Sequence, residues 1–196
     1  MEKGEMVLME GHEIHKRATK TTTPIPAKPS NKWCRPQTGW NKLNIDWAFK
    51  EEDGTGGTDM ILQDNTCAIV FASSRFLPRR SSAMEVETAA CAEGISFALE
   101  WSAEPFILKT NCAVAANMIR DDGVNRSPVA AKVVEIKALL QSGREHAISH
   151  VFRGQNIVAH ALSQLIRRIN TRTAAWIRHG PDVIRKLCQD DCNTVP

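Results

Sequence analysis

Two carboxylates stand where packing alone gives no reason for them, and two further polar residues recur at set places along the chain. Asp46 lies in the middle of Asn41 to Phe49, Asn-Lys-Leu-Asn-Ile-Asp-Trp-Ala-Phe. Leu43, Ile45, Trp47 and Phe49 alternate there with Asn44, Asp46 and Ala48, the two-residue period of a strand with two distinct faces. The large odd positions are expected to face a core. Asp46 then projects from the other face, where a lone carboxylate either meets solvent or performs chemistry. Glu87 is in line with Ala83, Ala90, Cys91, Gly94 and Ala98, a helical stripe of small residues suited to close packing on a sheet. A carboxylate on such a stripe is out of place unless it has a use. Asn111 ends a short strand, and His160 falls in a helix near the end of the chain. The plain alternatives are a solvated Asp on an outer strand and a Glu at a helix edge.

The elements that must position these residues begin with strands. After Asn41–Phe49, the run Glu51 to Gly57 is rich in glycine but lacks the spacing of a phosphate loop, so a hairpin is expected. Thr58–Leu62 and Cys67–Ser73 flank a second turn at Gln63 to Thr66. A basic turn, Arg75 to Ser81, leads into a helix from Ser82 to about Trp101, opened by the capping-box pair Ser82 and Glu85. Phe106–Lys109 is the fourth strand. Helices follow over about 113–120 and 128–141, with Pro128 in the first turn of the latter. Asp121-Asp122 between them reads as a helix-ending turn. Ala147–Phe152 is the fifth strand, and a helix runs from Asn156 to about Ile169. The order β-β-β-α-β-α-α-β-α is that of an α/β domain.

Composition narrows the class. A chain of 196 residues suffices for one such domain with extensions. Residues 1–30 are polar and rich in Thr, Pro and Lys toward Ser30, so a linker with little order is expected. The domain is placed at 31–170, led in by Trp33 and Trp40. A tail over 171–196 carries an amphipathic helix with Val183, Ile184 and Leu187 after Pro181. Net charge of +3 and a pI near 8.6 permit a nucleic-acid partner without demanding one. Six cysteines form no C-x-x-C pair, and several lie in apolar runs and read as small buried hydrophobes of a reducing compartment. Cys188 and Cys192 lack His partners at zinc-ligand spacing. No apolar run is long enough to span a membrane and no signal-peptide core is present, so a nuclear or cytoplasmic protein is expected.

In this order the segments resemble the type-1 ribonuclease H domain, in the form common in plant genomes and akin to the domain of plant non-LTR retroelements. The resemblance is carried by Gly39-Trp40-Asn41-Lys42-Leu43-Asn44-Ile45-Asp46, by Ser82-Ala83-Met84-Glu85-Val86-Glu87 with Gly94, by Lys109-Thr110-Asn111-Cys112, and by Val151-Phe152-Arg153-Gly154-Gln155-Asn156-Ile157-Val158-Ala159-His160. It spans about Trp33 to Ile169. It implies an RNase H-like fold with a five-stranded mixed sheet flanked by helices, and endonucleolytic hydrolysis of the RNA strand in an RNA–DNA hybrid. It also implies two Mg²⁺ held by four carboxylates, one ion generating the attacking hydroxide and the other stabilising the leaving oxygen.

Position by position, the resemblance makes Asp46 the first carboxylate and Glu87 the second. Asn111 stands where the third is Asp. His160 stands where the fourth is usually Asp, although His is familiar there in the plant group. With His neutral the four positions carry −2 instead of −4. An imidazole nitrogen suits transition metals better than Mg²⁺. Trp47 also replaces the small residue usual beside the first carboxylate. The expectation is an intact fold with a degraded site, in which Mg²⁺, or Mn²⁺ in its place, binds weakly. Hybrid binding depends less on these positions, because such domains read shape through phosphate and 2′-OH contacts. Arg153, Gln155 and Asn156 are the candidate nucleic-acid contacts, Asn156 sharing a helix face with His160; a helix cap and a solvated loop are the plain alternatives. Three functions stay open: a weak hybrid nuclease, a noncatalytic hybrid-binding domain, and a retroelement-derived module for protein–protein contacts.

Overall fold

The computed structural model describes residues 34–141, 144–152, 156–168 and 172–193; the expected N-terminal linker, Arg153 and Gln155 lie outside them. Three strands open the fold, β1 (Asn41–Lys50), β2 (Thr55–Gln63) and β3 (Ile69–Leu77), followed by α1 (Ala83–Trp101) and β4 (Phe106–Thr110). Next come α2 (Ala113–Arg120), α3 (Ala130–Leu140), β5 (His146–His150), α4 (Ile157–Arg168), β6 (Thr173–Ile177) and α5 (Asp182–Asn193). The sheet order is β5-β4-β1-β2-β3-β6. β1 is central, antiparallel to β2 and parallel to β4, so both of its edges are paired.

The sheet has six strands, one more than expected. β6 pairs antiparallel with β3 over Phe71 to Arg75. The sequence places this segment in a helical tail; Thr173, Trp176 and Ile177 favour a strand, but five residues are too short a run to show it without the ladder to β3. The same pairing corrects the basic turn. Arg75 lies inside β3, opposite Thr58, with its guanidinium 3.1 Å from Glu93.

Both faces of the sheet carry a core. Leu43 and Ile45 of β1 join Met60, Leu62, Phe71, Phe106 and Leu108 under Ala90, Cys91, Ile95 and Ala98 of α1. Trp47 and Phe49, farther along the same face, are only half-buried. Two glycines let α1 come this close. A Cβ on Gly94 would stand 3.0 Å from Ile45 Cδ1, and one on Gly56 would stand 2.8 Å from Val86 Cγ2. α1 begins as expected, with Ser82 Oγ accepting from the Glu85 N–H at 3.2 Å. The Glu85 carboxylate returns to the N–H of Ser81 and to Arg80, one residue earlier than a capping box requires.

On the opposite face, Ile61, Ile69 and Ala72 pack against Val158, Ala159 and Leu162 of α4 and Ile184 and Cys188 of α5. The C-terminal extension therefore backs the helix that carries His160. A covalent link fastens it: Cys67 and Cys192 form a disulfide with Cα atoms 6.3 Å apart, within the reach of such a bond. Cys67 sits at φ 68 in a turn whose Thr66 and Ala68 N–H groups donate to Asp64. The sequence holds no local signal for this pair, because its members are 125 residues apart. Cys91 and Cys188 are buried within the two apolar clusters.

Closing so long a loop restricts the unfolded chain. Reduction, or Cys192→Ser, is expected to cost about 3–5 kcal/mol of stability. Urea unfolding with and without reductant checks this; coincident midpoints would show that the link contributes nothing.

Candidate active site

Asp46 projects from the β1 face opposite α1 and is 8% exposed. Its two oxygens meet different partners. Asn111 Nδ2 donates to Oδ1 at 3.2 Å, and His160 Nδ1 lies 3.4 Å from Oδ2. β4 brings Asn111 to this place, because it runs parallel to β1 and ends one residue before it. α4 brings His160. Its first turn is fixed to the sheet by Asn156, whose Nδ2 donates to the Ile45 carbonyl at 2.6 Å while its own carbonyl accepts from the His160 N–H. Gln164 Nε2 lies 3.1 Å from His160 Nε2. An amide N–H directed at that nitrogen makes it the acceptor, which leaves the Nδ1–H to face Asp46.

Glu87 is fully buried on α1. Its Oε1 accepts from the Thr110 hydroxyl, and Cys91 Sγ lies 4.0 Å away; Oε2 has no protein partner. Burial raises its pKa from 4.5 to about 7, the Thr110 hydrogen bond opposes that rise, and the charge of Asp46 adds to it. Asp46, Asn111 and His160 thus meet directly, and Glu87 acts on Asp46 through space. Asn156 is buried and spends its amide nitrogen on β1.

Several residues of this corner were not singled out from the sequence. Asp59 is the cross-strand partner of Asp46 and is 2% exposed, so two carboxylates share one face; facing like charges are destabilising in a ladder. The Ser74 hydroxyl donates to Asp59. A carboxylate preceding Met60-Ile61-Leu62 was the available signal, but only the register places it beside Asp46. Thr110 holds Glu87. His150 Nε2 lies 3.3 Å from the Asn111 carbonyl oxygen and donates to it, and the His150 ring meets Phe152 edge-on, centroids 5.9 Å apart.

Residues 44–166 match the model of the reverse transcriptase-like family. The chain belongs to that family. The match begins two residues before Asp46 and ends six after His160, so it encloses the whole site. The fold is that of RNase H1. The enzyme of the halophilic archaeon Halobacterium salinarum aligns with a TM-score of 0.58 at 20% identity, over 63% of this chain and 94% of the enzyme. LC11-RNase H1, isolated from compost by a metagenomic approach, gives 0.60 at 12% identity, over 68% and 100%. The same enzyme in complex with an RNA/DNA hybrid gives 0.52 at 14% identity, over 67% and 99%. No curated protein sequence matches. β6 and α5 lie C-terminal to the family match. No helix among the described residues is long and apolar enough to cross a membrane.

The Mg²⁺ pair implied by the ribonuclease H resemblance does not fit this family member's donor set. Mg²⁺ asks for oxygen ligands in an octahedron. Here Asn111 turns its N–H toward Asp46, His160 offers nitrogen, and Glu87 is held by Thr110. Among the described residues no group of three His, Cys, Asp or Glu side chains is arranged to hold an ion. What remains is a corner of donors and acceptors able to hydrogen-bond sugar and phosphate groups.

Glu87 gives this corner a pH signature. Its pKa is about 7 in the fold against 4.5 for a free Glu, so the folded chain holds the proton more tightly than the unfolded one. The full stability is present below about pH 4.5. It falls by about 3 kcal/mol as pH rises to about 7, because the unfolded state ionises first. Glu87→Gln removes this dependence and is expected to be more stable than wild type at pH 8 but not at pH 4. Urea unfolding of both proteins at the two pH values tests it; parallel behaviour would mean that Glu87 ionises freely in the fold.

Proposed function

We propose that this chain is a ribonuclease H-type domain that binds RNA–DNA hybrid and cleaves it far more slowly than an enzyme with four carboxylates. The observation that carries the reading is the Asn111–Asp46–His160 contact, in which an amide and an imidazole occupy both oxygens of the first carboxylate. Phosphodiester cleavage builds negative charge on the attacking, nonbridging and leaving oxygens, and an amide and an imidazole in place of two carboxylates make this corner a poor holder of the cations that would stabilise it. A loss of about 3 kcal/mol in transition-state stabilisation is already roughly a hundredfold in rate. Support for hybrid as the ligand comes from the LC11-RNase H1 complex, together with the motifs shared with plant retroelement domains. The plant-type affiliation and the nuclear or cytoplasmic location belong to the same proposal.

Binding is assigned to the corner beside α4, with Arg153 and Gln155 kept as the candidate contacts that the resemblance implies. Arg153→Ala should weaken hybrid binding and lower the salt dependence by roughly one phosphate contact. The deciding assay follows cleavage and binding of a labelled hybrid in Mg²⁺ and in Mn²⁺. Wild type should bind and cut at a trace rate, and the Asn111→Asp, His160→Asp double variant should cut at least tenfold faster, about 1.4 kcal/mol. Asn111→Asp alone should recover more than His160→Asp alone. Rapid cleavage by wild type in Mg²⁺, abolished by Asp46→Asn, would overturn the reading.

A further inference from the structure

Charge is spread unevenly along this chain. Residues 34–171 contain the whole family match, yet their fifteen basic and fifteen acidic side chains leave no net charge. A neutral domain has little long-range attraction for a polyanion. The next segment differs. Over residues 172–186, Arg172, Arg178, Arg185 and Lys186 face one acid, Asp182, which gives +3 in a chain whose total is +3. Asp190 and Asp191 follow only toward the far end of α5. All four basic residues are exposed. Arg185 pairs with Asp182, whereas no ion pair among the described residues takes up the other three.

The strand register brings this segment near the site. Asp46 pairs with Asp59, Asp59 with Ser74 and Ser74 with Ala174 of β6, one row across the sheet. Three strand spacings, about 14 Å, therefore separate Asp46 from β6. That is roughly four base pairs of a duplex. Arg172 precedes β6 and lies over the Phe76 ring, its Cζ 5.9 Å from the centroid. Arg178 follows β6 with φ 61, a left-handed backbone that glycine adopts freely and arginine does not. Its N–H donates to the Val70 carbonyl at 2.9 Å, which holds it there.

From this we propose that the C-terminal extension is a second nucleic-acid contact, in which these four cations take backbone phosphates of a hybrid seated on the site. The proposal rests on the reading of the chain as a hybrid-binding domain and names where the binding charge lies. Charges that bracket an edge strand also discourage pairing with another chain, and β6 is such an edge. That role needs neither Arg185 and Lys186, which lie on α5, nor a side chain at a left-handed position. Phosphate contact uses all four. Such contacts position a duplex without reading its sequence. Each one releases counterions, so binding must weaken as salt rises.

The test measures affinity of the full chain over a salt series, with a labelled RNA–DNA hybrid long enough to extend past the site. The fourfold variant Arg172→Ala, Arg178→Ala, Arg185→Ala, Lys186→Ala should lower the slope of log affinity against log salt by roughly two to three. Arg172→Lys, Arg178→Lys and Arg185→Lys together should keep the wild-type slope, because charge makes the contact. Arg178→Gly separates binding from folding. It should lower the slope by roughly one phosphate contact while its urea midpoint does not fall. A wild-type slope in the fourfold variant or in Arg178→Gly, or a lost slope in the lysine variant, would overturn the proposal. So would a slope lost only together with the urea midpoint. If Arg153→Ala still lowers the slope in those cases, hybrid binding stands without the extension. Failure of wild type to bind hybrid would overturn the parent reading itself.

Discussion

The structure turns on how closely α1 lies against β1 and β2. Gly94 seats the helix over Ile45 and Leu43, and Gly56 lets Val86 down onto the hairpin. Glu87 follows Val86, so this approach leaves its carboxyl no route to solvent. Burial of that group without an ion partner favours its neutral form. Thr110, at the end of β4, offers a hydroxyl as partial compensation. The fold thereby decides the charge of one corner of the site before any ligand arrives. A bulkier residue at 94 would lift the helix and expose Glu87, losing packing and electrostatics together.

Charge around Asp46 follows from a second constraint, the register of β1 on β2. Pairing Ile45 with Met60 puts two apolar residues toward α1, and the same register must then set Asp46 against Asp59 on the other face. The ladder cannot satisfy one face without fixing the other. Surrounding groups soften the repulsion: Ser74 donates to Asp59, while Asn111 and His160 turn to Asp46. Asn111 has a local structural role here, because an Asp at that position would add a further carboxylate to a corner that already holds Asp46, Asp59 and Glu87. Restoring the charge and preserving stability therefore pull in opposite directions unless a cation enters.

Most of the fold was legible because its signals are local. Alternation marks β1, the Ser82 cap and small-residue stripe mark α1, and the β-β-β-α-β-α-α-β-α order follows from period and turns. Asp46 and Glu87 could be named because each sits oddly in its own element, Asn111 and His160 through the resemblance, and the structure brings three of the four into contact. The rest depends on partners distant in sequence. β6 is an Ala-rich segment that becomes a strand by pairing with β3, and Cys192 meets Cys67 across 125 residues. Asp59 looks like one polar residue in a strand until the register supplies Asp46. His150 matters only through Asn111, which follows another strand.

The C-terminal extension changes what α4 is. Beyond the family match, β6 closes the open edge of β3 and α5 joins the apolar cluster that α4 forms with the sheet. α4 is thus clamped from both sides, by Asn156 on the Ile45 carbonyl and by Ile184 and Cys188 behind Val158, Ala159 and Leu162. His160 leaves this clamped helix as a mostly exposed side chain, with its backbone fixed and its ring held between Asp46 and Gln164. A rigid mount of this kind suits a residue that must keep one orientation toward its neighbour. The extension therefore acts on the site through position alone, touching the chemistry only by holding the helix that bears it.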